Sequence, residues 1–155
     1  MTLRAEVRDT DIAAVKALVR ATGFFSEEEE AIALELVEER LLEGEASGYD
    51  FLFAHRGGAV VGYACYGRIP LTQSSYDLYW IVVDPAAQGS GIGRRLIAAT
   101  EAAVRDAGGT ALSSEFAGSA WRGAFGHALK RTVCVMRMRP CEGCSLIESC
   151  IYPYL

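Results

Sequence analysis

No stretch of this 155-residue chain stays apolar for the roughly 20 positions that a bilayer-spanning helix requires, so a membrane anchor is not expected. The opening residues, MTLRAEVRDTD, are charged and lack the apolar run of an export signal. An excess of basic residues is missing too. The formal charge is −5, which argues against nucleic acid or an anionic membrane as partner. Histidine is scarce: His55 at an expected hairpin turn and His127 on an expected helix have no metal-ligand spacing and read as surface residues, so no metal ligands are assigned. Ahead of Cys134 the only cysteine is Cys65, and without an export signal the thiols are expected to be reduced. These absences leave a cytoplasmic protein of one compact domain, residues 1–155, with about half its residues apolar.

What is present is an orderly alternation of elements. Leu3 to Val7 alternates as a short first strand. Asp9 to Asp11 can cap a helix whose apolar face is Ile12, Val15, Leu18 and Val19, ending at Gly23. Ser26 and Glu29 form the pattern of a capping box for a second helix, and Glu27 to Glu30 place negative charge at the positive end of its dipole. That acidic run reads as a solvated first turn rather than a partner-binding patch. Ala33, Leu36, Val37 and Leu41 form the second helix's stripe, and Gly44 stops it. DFLFA and AVVGYACYGRI around Gly57-Gly58 read as a hairpin, in which Gly62 and Gly67 mark bulges or close backbone contacts. After a polar loop, YDLYWIVVD is a strand ended by Pro85. A helix from about Gly91 to Ala107 should turn Ile92, Leu96, Ala99, Ala103 and Ala107 inward, and ALSSEF resumes strand character. The order predicts an α/β fold with a mixed, mainly antiparallel central sheet flanked by helices, turning parallel across the long helix.

The chemistry concentrates in IVVDPAAQGSGIGRRL. Glycines at 89, 91 and 93 let backbone approach a ligand and turn N–H groups inward, where the first turn of a helix and its dipole also favour an anion. Arg94 and Arg95 add positive charge. The sequence lacks the Lys-Ser/Thr of a P-loop, and its G-x-G-x-G spacing after the fourth strand is not the dinucleotide fingerprint of a first strand. Q-G-S-G-I-G, Gln88 to Gly93, following Val82-Val83-Asp84-Pro85, instead resembles motif A of the GNAT superfamily of N-acetyltransferases. The resemblance extends from Leu3 to about Leu112 in element order.

It implies a GNAT-like acyl-CoA N-acyltransferase fold and acetyl-CoA as acyl donor. Gln88, Gly89, Ser90, Gly91, Ile92, Gly93 and Arg94 would hold the pyrophosphate, while Ile81, Val82 and Val83, on a strand splayed from its neighbour, would bond the pantetheine arm. The acceptor would be a primary amine of a small molecule or peptide. Tyr76, Asp77, Tyr79 and Trp80 resemble the lead-in of bacterial members acting on small or unidentified amines, and homodimers are common in such families. A carboxylate is the expected general base. Asp77 and Glu115 are the catalytic candidates, as each lies on a strand beside the presumed cleft, although either also fits an ordinary strand position.

Beyond about residue 112 the likeness fades. The family's A-x-x-F-Y segment finds Ala124 and Phe125 in RGAFGHALKR, but Gly126 stands where a tyrosine would protonate the departing thiolate. Basic residues now outnumber acidic ones, and Cys134, Cys141, Cys144 and Cys150 crowd the end. Three readings stay open: a divergent folded end, with Ser119 to Lys130 helical and TVCVMRM and SLIESCIYPYL as strands; a zinc site on the cysteines; or an altered reading frame. Accordingly an acetyltransferase and a CoA-binding regulatory module without turnover both fit residues 1–155.

Overall fold

A computed structural model describes residues 1–116 and 132–137, with side chains through residue 113. Among the described residues, six strands form one sheet in the order β1-β2-β3-β4-β5-β6: β1 (Thr2–Arg4), β2 (Tyr49–Arg56), β3 (Ala59–Arg68), β4 (Ser75–Val83), β5 (Ala111–Phe116) and β6 (Thr132–Arg137). All neighbours are antiparallel except β4 and β5, which are parallel across α3 (Ile92–Asp106). The α1 helix (Asp9–Thr22) and the α2 helix (Glu27–Glu43) connect β1 to β2. The expected helix 119–130 and last strand lie outside the described residues.

The strand alternation sorts side chains into two cores. Phe51, Phe53, Tyr63 and Cys65 point toward α1 and α2 and meet Val15, Leu18, Val19, Ala33 and Val37. Their even-numbered neighbours Leu52, Ala54, Ala64 and Tyr66 point the other way, onto Ile92, Leu96 and Val104 of α3. The α3 stripe differs from expectation at its end. Ile97 and Thr100 are buried and Ala99 and Ala103 partly so, but Ala107 is exposed because the helix has closed at Asp106.

Local chemistry sets the helix ends. At α2, the Ser26 N–H donates to Glu29 Oε2 at 2.8 Å and the Glu29 N–H to Ser26 Oγ at 3.2 Å, the reciprocal box expected from sequence. Glu30 of the acidic run is not merely solvated: Arg20 Nε donates to its Oε2 at 2.7 Å, tying the two helices together. At α1 the Asp11 carboxylate, 1% exposed, accepts hydrogen bonds from the Arg8 N–H at 2.8 Å and from Arg4 Nη1 and Nη2 at 2.9 and 2.7 Å. Arg4 also lies over the Phe53 ring and donates to His55 Nε2 at 3.2 Å. This turning point explains why β1 ends at Arg4 rather than Val7. It also corrects His55, which sits half-buried within β2 rather than at the hairpin turn.

The two glycines inside β3 are where backbone comes close. Val61 is an extra residue between the pairs Ala54↔Gly62 and His55↔Val60, and a Cβ on Gly62 would stand 2.9 Å from the Val82 carbonyl oxygen. A Cβ on Gly67 would collide with the Gly48 carbonyl oxygen, which is backbone and cannot swing aside. We therefore expect Gly67→Ala to cost about 2 kcal/mol, read as a lowered urea midpoint at unchanged m-value. Leu71, fully exposed with φ 65°, should respond oppositely. Leu71→Gly relieves left-handed strain and is expected to raise stability by roughly 0.5–1 kcal/mol in the same assay.

Candidate functional site

The β4 strand pairs with β5 only from Ser75↔Ala111 to Leu78↔Ser114, although both strands run on. The break coincides with a bulge. On the β3 side Tyr66 faces Leu78 and Cys65 faces Trp80, so Tyr79 is an inserted residue without a partner. An extra residue bends and twists a strand and reverses the alternation beyond it. Tyr76 and Leu78 accordingly join the α3 core, whereas Trp80 and Val82 join the α1/α2 core and Ile81 and Val83 take the α3 side. From Trp80 to Val83, β4 keeps its β3 pairing and presents an edge to β5 that β5 does not use. Ile81, Val82 and Val83 all lie on this section of the strand; the Val82 carbonyl and the Asp84 N–H turn to β3, which leaves the peptide groups of Ile81 and Val83 for the open edge.

The edge leads straight into the glycine loop. Pro85–Ala87 forms a 3-10 turn capped by Asp84, whose carboxylate accepts the Ala86 N–H at 2.9 Å and whose own N–H bonds Val61 at 2.9 Å. The Gln88 amide donates to the Val83 carbonyl at 3.4 Å, folding the loop back over the strand end. Gly89 and Gly91 have φ of 74° and 78°, and among the described residues, their chain neighbours aside, no atom lies within 4 Å of where a Cβ on either would stand. The space above the loop is therefore open, and conformation rather than crowding calls for glycine. Gly91 caps α3. Ile92 and Gly93 are buried, so what they can offer a ligand is the backbone N–H of a first helical turn. Arg94 and Arg95 are exposed. An anion at the loop continuing into an extended, amide-bearing chain along β4 matches both halves of this surface.

The two carboxylate candidates fall on opposite sides of the parting. Asp77 lies where β4 and β5 still pair, and Ser113 of β5 donates its hydroxyl to Asp77 Oδ1. Glu115 lies on β5 beyond the last β4 pair, opposite Val133 of β6. Ser113 was not legible as a site residue, since its meeting with Asp77 depends on a register that sequence does not specify. Tyr49 was missed for the same reason. It meets Tyr79 edge to face at 5.5 Å between centroids, and burial followed by the nearby Asp77 raises the pKa of the Tyr79 phenol.

With this geometry in place, comparison with known proteins is decisive for family. The model of the acetyltransferase (GNAT) family matches residues 12–118. The chain belongs to that family. A second family model, described as an N-terminal domain, matches residues 97–155 and so overlaps the first. A GNAT-family structure from Desulfovibrio desulfuricans is 45% identical with a TM-score of 0.71, over 74% of this chain and 72% of that one. A ribosomal-protein-alanine N-acetyltransferase from Brucella melitensis is 28% identical with a TM-score of 0.61, over 75% and 74%. The N-alpha-acetyltransferase RimI of Mycobacterium tuberculosis is 48% identical over 48 residues, so the match spans 30% of each chain and less than a third of that curated relative's length.

The sheet of this GNAT-family chain also fixes a pH response. Burial pushes the Tyr63 phenol and the Cys65 thiol upward, and the Tyr66 phenol from 10.0 to about 12, with Asp50 adding to the Tyr66 shift. A phenol whose pKa is raised by folding stabilises the protein fully below its unfolded value and loses that contribution as pH rises through the folded one. Stability should therefore fall between pH 10 and about 12. Urea midpoints across this window are expected to fall less steeply for Tyr66→Phe than for the parent, and equal slopes would contradict the assignment.

Proposed function

We propose that this chain transfers the acetyl group of acetyl-CoA to a primary amine of a small molecule or peptide, with a peptide N-terminal amine the leading class. The observation that carries the reading is the edge of β4 beyond Tyr79, unpaired among the described residues and running into the positive-φ loop at the head of α3. The family adds the chemistry. The acceptor class draws on the names of the Mycobacterium tuberculosis and Brucella melitensis relatives. The reading takes residues 1–155 as one acetyltransferase-like domain, atypical over 113–155. It includes a cytoplasmic setting, no nucleic-acid or membrane partner, and a homodimer. Among the described residues, no helix is long and apolar enough to cross a membrane.

Backbone N–H groups from Gly89 to Gly93, with Gln88, Ser90 and Arg94 around them, hold the pyrophosphate, while Ile81 to Val83 orient the pantetheine arm by strand-like bonds. A backbone N–H near Val82 would be the donor to the thioester carbonyl oxygen as charge develops there. The amine must reach within about 3–3.5 Å of the carbonyl carbon after losing a proton. We assign that proton to Glu115, on the parted section of β5, ahead of Asp77, whose carboxylate is held by Ser113. Glu115→Gln is expected to lower kcat about 100-fold with little change in KM for acetyl-CoA, and Asp77→Asn less than 10-fold. Reversal of that order would move the base to Asp77.

Gly126, standing where the family's tyrosine would protonate the thiolate, favours a second reading, a CoA-binding regulatory module. Thermal melts and thiol release separate them. Acetyl-CoA should raise Tm, and peptides with free N-termini should then release CoA thiol. A Tm shift without thiol release across small amines and peptides selects the regulatory module, and no shift in a folded sample refutes both.

A further inference from the structure

The glycine loop is held from a second direction by a residue outside the motif. Arg56 ends β2, pairing with Ala59 at the Gly57-Gly58 turn, 34 positions before Ser90 in the chain. Because Val61 bulges out of β3 and its carbonyl accepts the Asp84 N–H at 2.9 Å, the turn end of the hairpin lies beside the exit of β4. From there Arg56 Nη2 donates to Ser90 Oγ at 3.1 Å. The Ser90 hydroxyl donates its own proton to the Ala87 carbonyl at 2.5 Å, so the serine is oriented from both sides. Arg56 is exposed, and among the described residues its Nε and Nη1 make no hydrogen bond.

We propose that Arg56 is a pyrophosphate-binding residue of the acyl-donor site, clamping Ser90 with one guanidinium nitrogen and bonding a phosphate oxygen with the others. The inference rests on the donor site proposed above. A planar guanidinium has donors to spare for both tasks, whereas a lysine ammonium lacks the fork that would let it hold serine and phosphate in fixed directions. A second strand thereby supplies a formal charge where motif A itself offers mostly backbone dipoles. Sequence gave no sign of this, since the residue lies in a hairpin remote from the motif and reads as an ordinary polar strand end.

Calorimetric titration of the full chain with CoA, 3′-dephospho-CoA and pantetheine tests the assignment. Arg56→Ala is expected to weaken CoA and 3′-dephospho-CoA about 10-fold each and to leave pantetheine unaffected, with the Tm of the free protein unchanged. Arg56→Gln, which can still donate to Ser90 but carries no charge, should lose nearly as much, while Arg56→Lys should recover part. Parental affinity in Arg56→Ala overturns the role of Arg56 alone. A loss seen with CoA but absent with 3′-dephospho-CoA overturns the pyrophosphate assignment, and an Arg56→Gln variant that binds like the parent shows that the residue only props up the loop. Failure of the parent protein to bind CoA refutes the donor site itself.

Discussion

A single inserted residue, Tyr79, governs how the two halves of this sheet relate. Up to Leu78, β4 is an inner strand with partners on both sides; past Tyr79 its partner among the described residues is β3 alone. Peptide groups on an inner strand normally satisfy one another, and an edge with none of its own is a place where an extended ligand can add as a further strand. Reversed alternation keeps this from exposing the core. Trp80 turns in against Phe25, with ring centroids 5.0 Å apart, and Val82 is buried beneath α1 and α2. The same step sends Ile81 and Val83 toward α3.

Everything that holds the glycine loop depends on β4 staying where the bulge puts it. The N-terminal end of α3 is anchored by Ile92 and Leu96, both buried in the core that β4 helps to build. Gly62 lets that helix and the Val82 carbonyl approach β3 closely, and the Val61 bulge brings the β2–β3 hairpin up to the loop. The loop is thus braced by the strand before it, the helix after it and a hairpin from elsewhere in the chain. Such bracing suits a site meant to present backbone donors in fixed positions without first ordering them.

Much of this was legible in the sequence, for physical reasons that differ by element. Ser26 and Glu29 announce their capping box locally, and Gly57-Gly58 announces its turn, because both signals act within a few residues. The Gln88 to Gly93 pattern is equally local, and it pointed to the family that the comparison then showed. The Tyr79 bulge was not legible. In YDLYWIVVD aromatic and branched residues suit both faces of a sheet covered on both sides, so one inserted residue leaves no mark on the pattern. Strand-to-strand register is also why Ser113, Tyr49 and Arg56 escaped notice and why His55 was placed on the turn. The short first strand was misjudged for another reason: the Arg4–Asp11 pair turns the chain away from the sheet, and a side-chain ion pair leaves no trace in hydropathy alternation.

The central claim is that the opened edge and the loop after it form one donor-binding surface. Hydrogen exchange followed by mass spectrometry, with and without saturating CoA, tests it most directly. The account predicts that CoA slows exchange in peptides covering residues 79–83 and 88–94 together, with little change in β1 or α2. Protection confined to other segments while CoA binds, or protection of the loop without the strand, would contradict it.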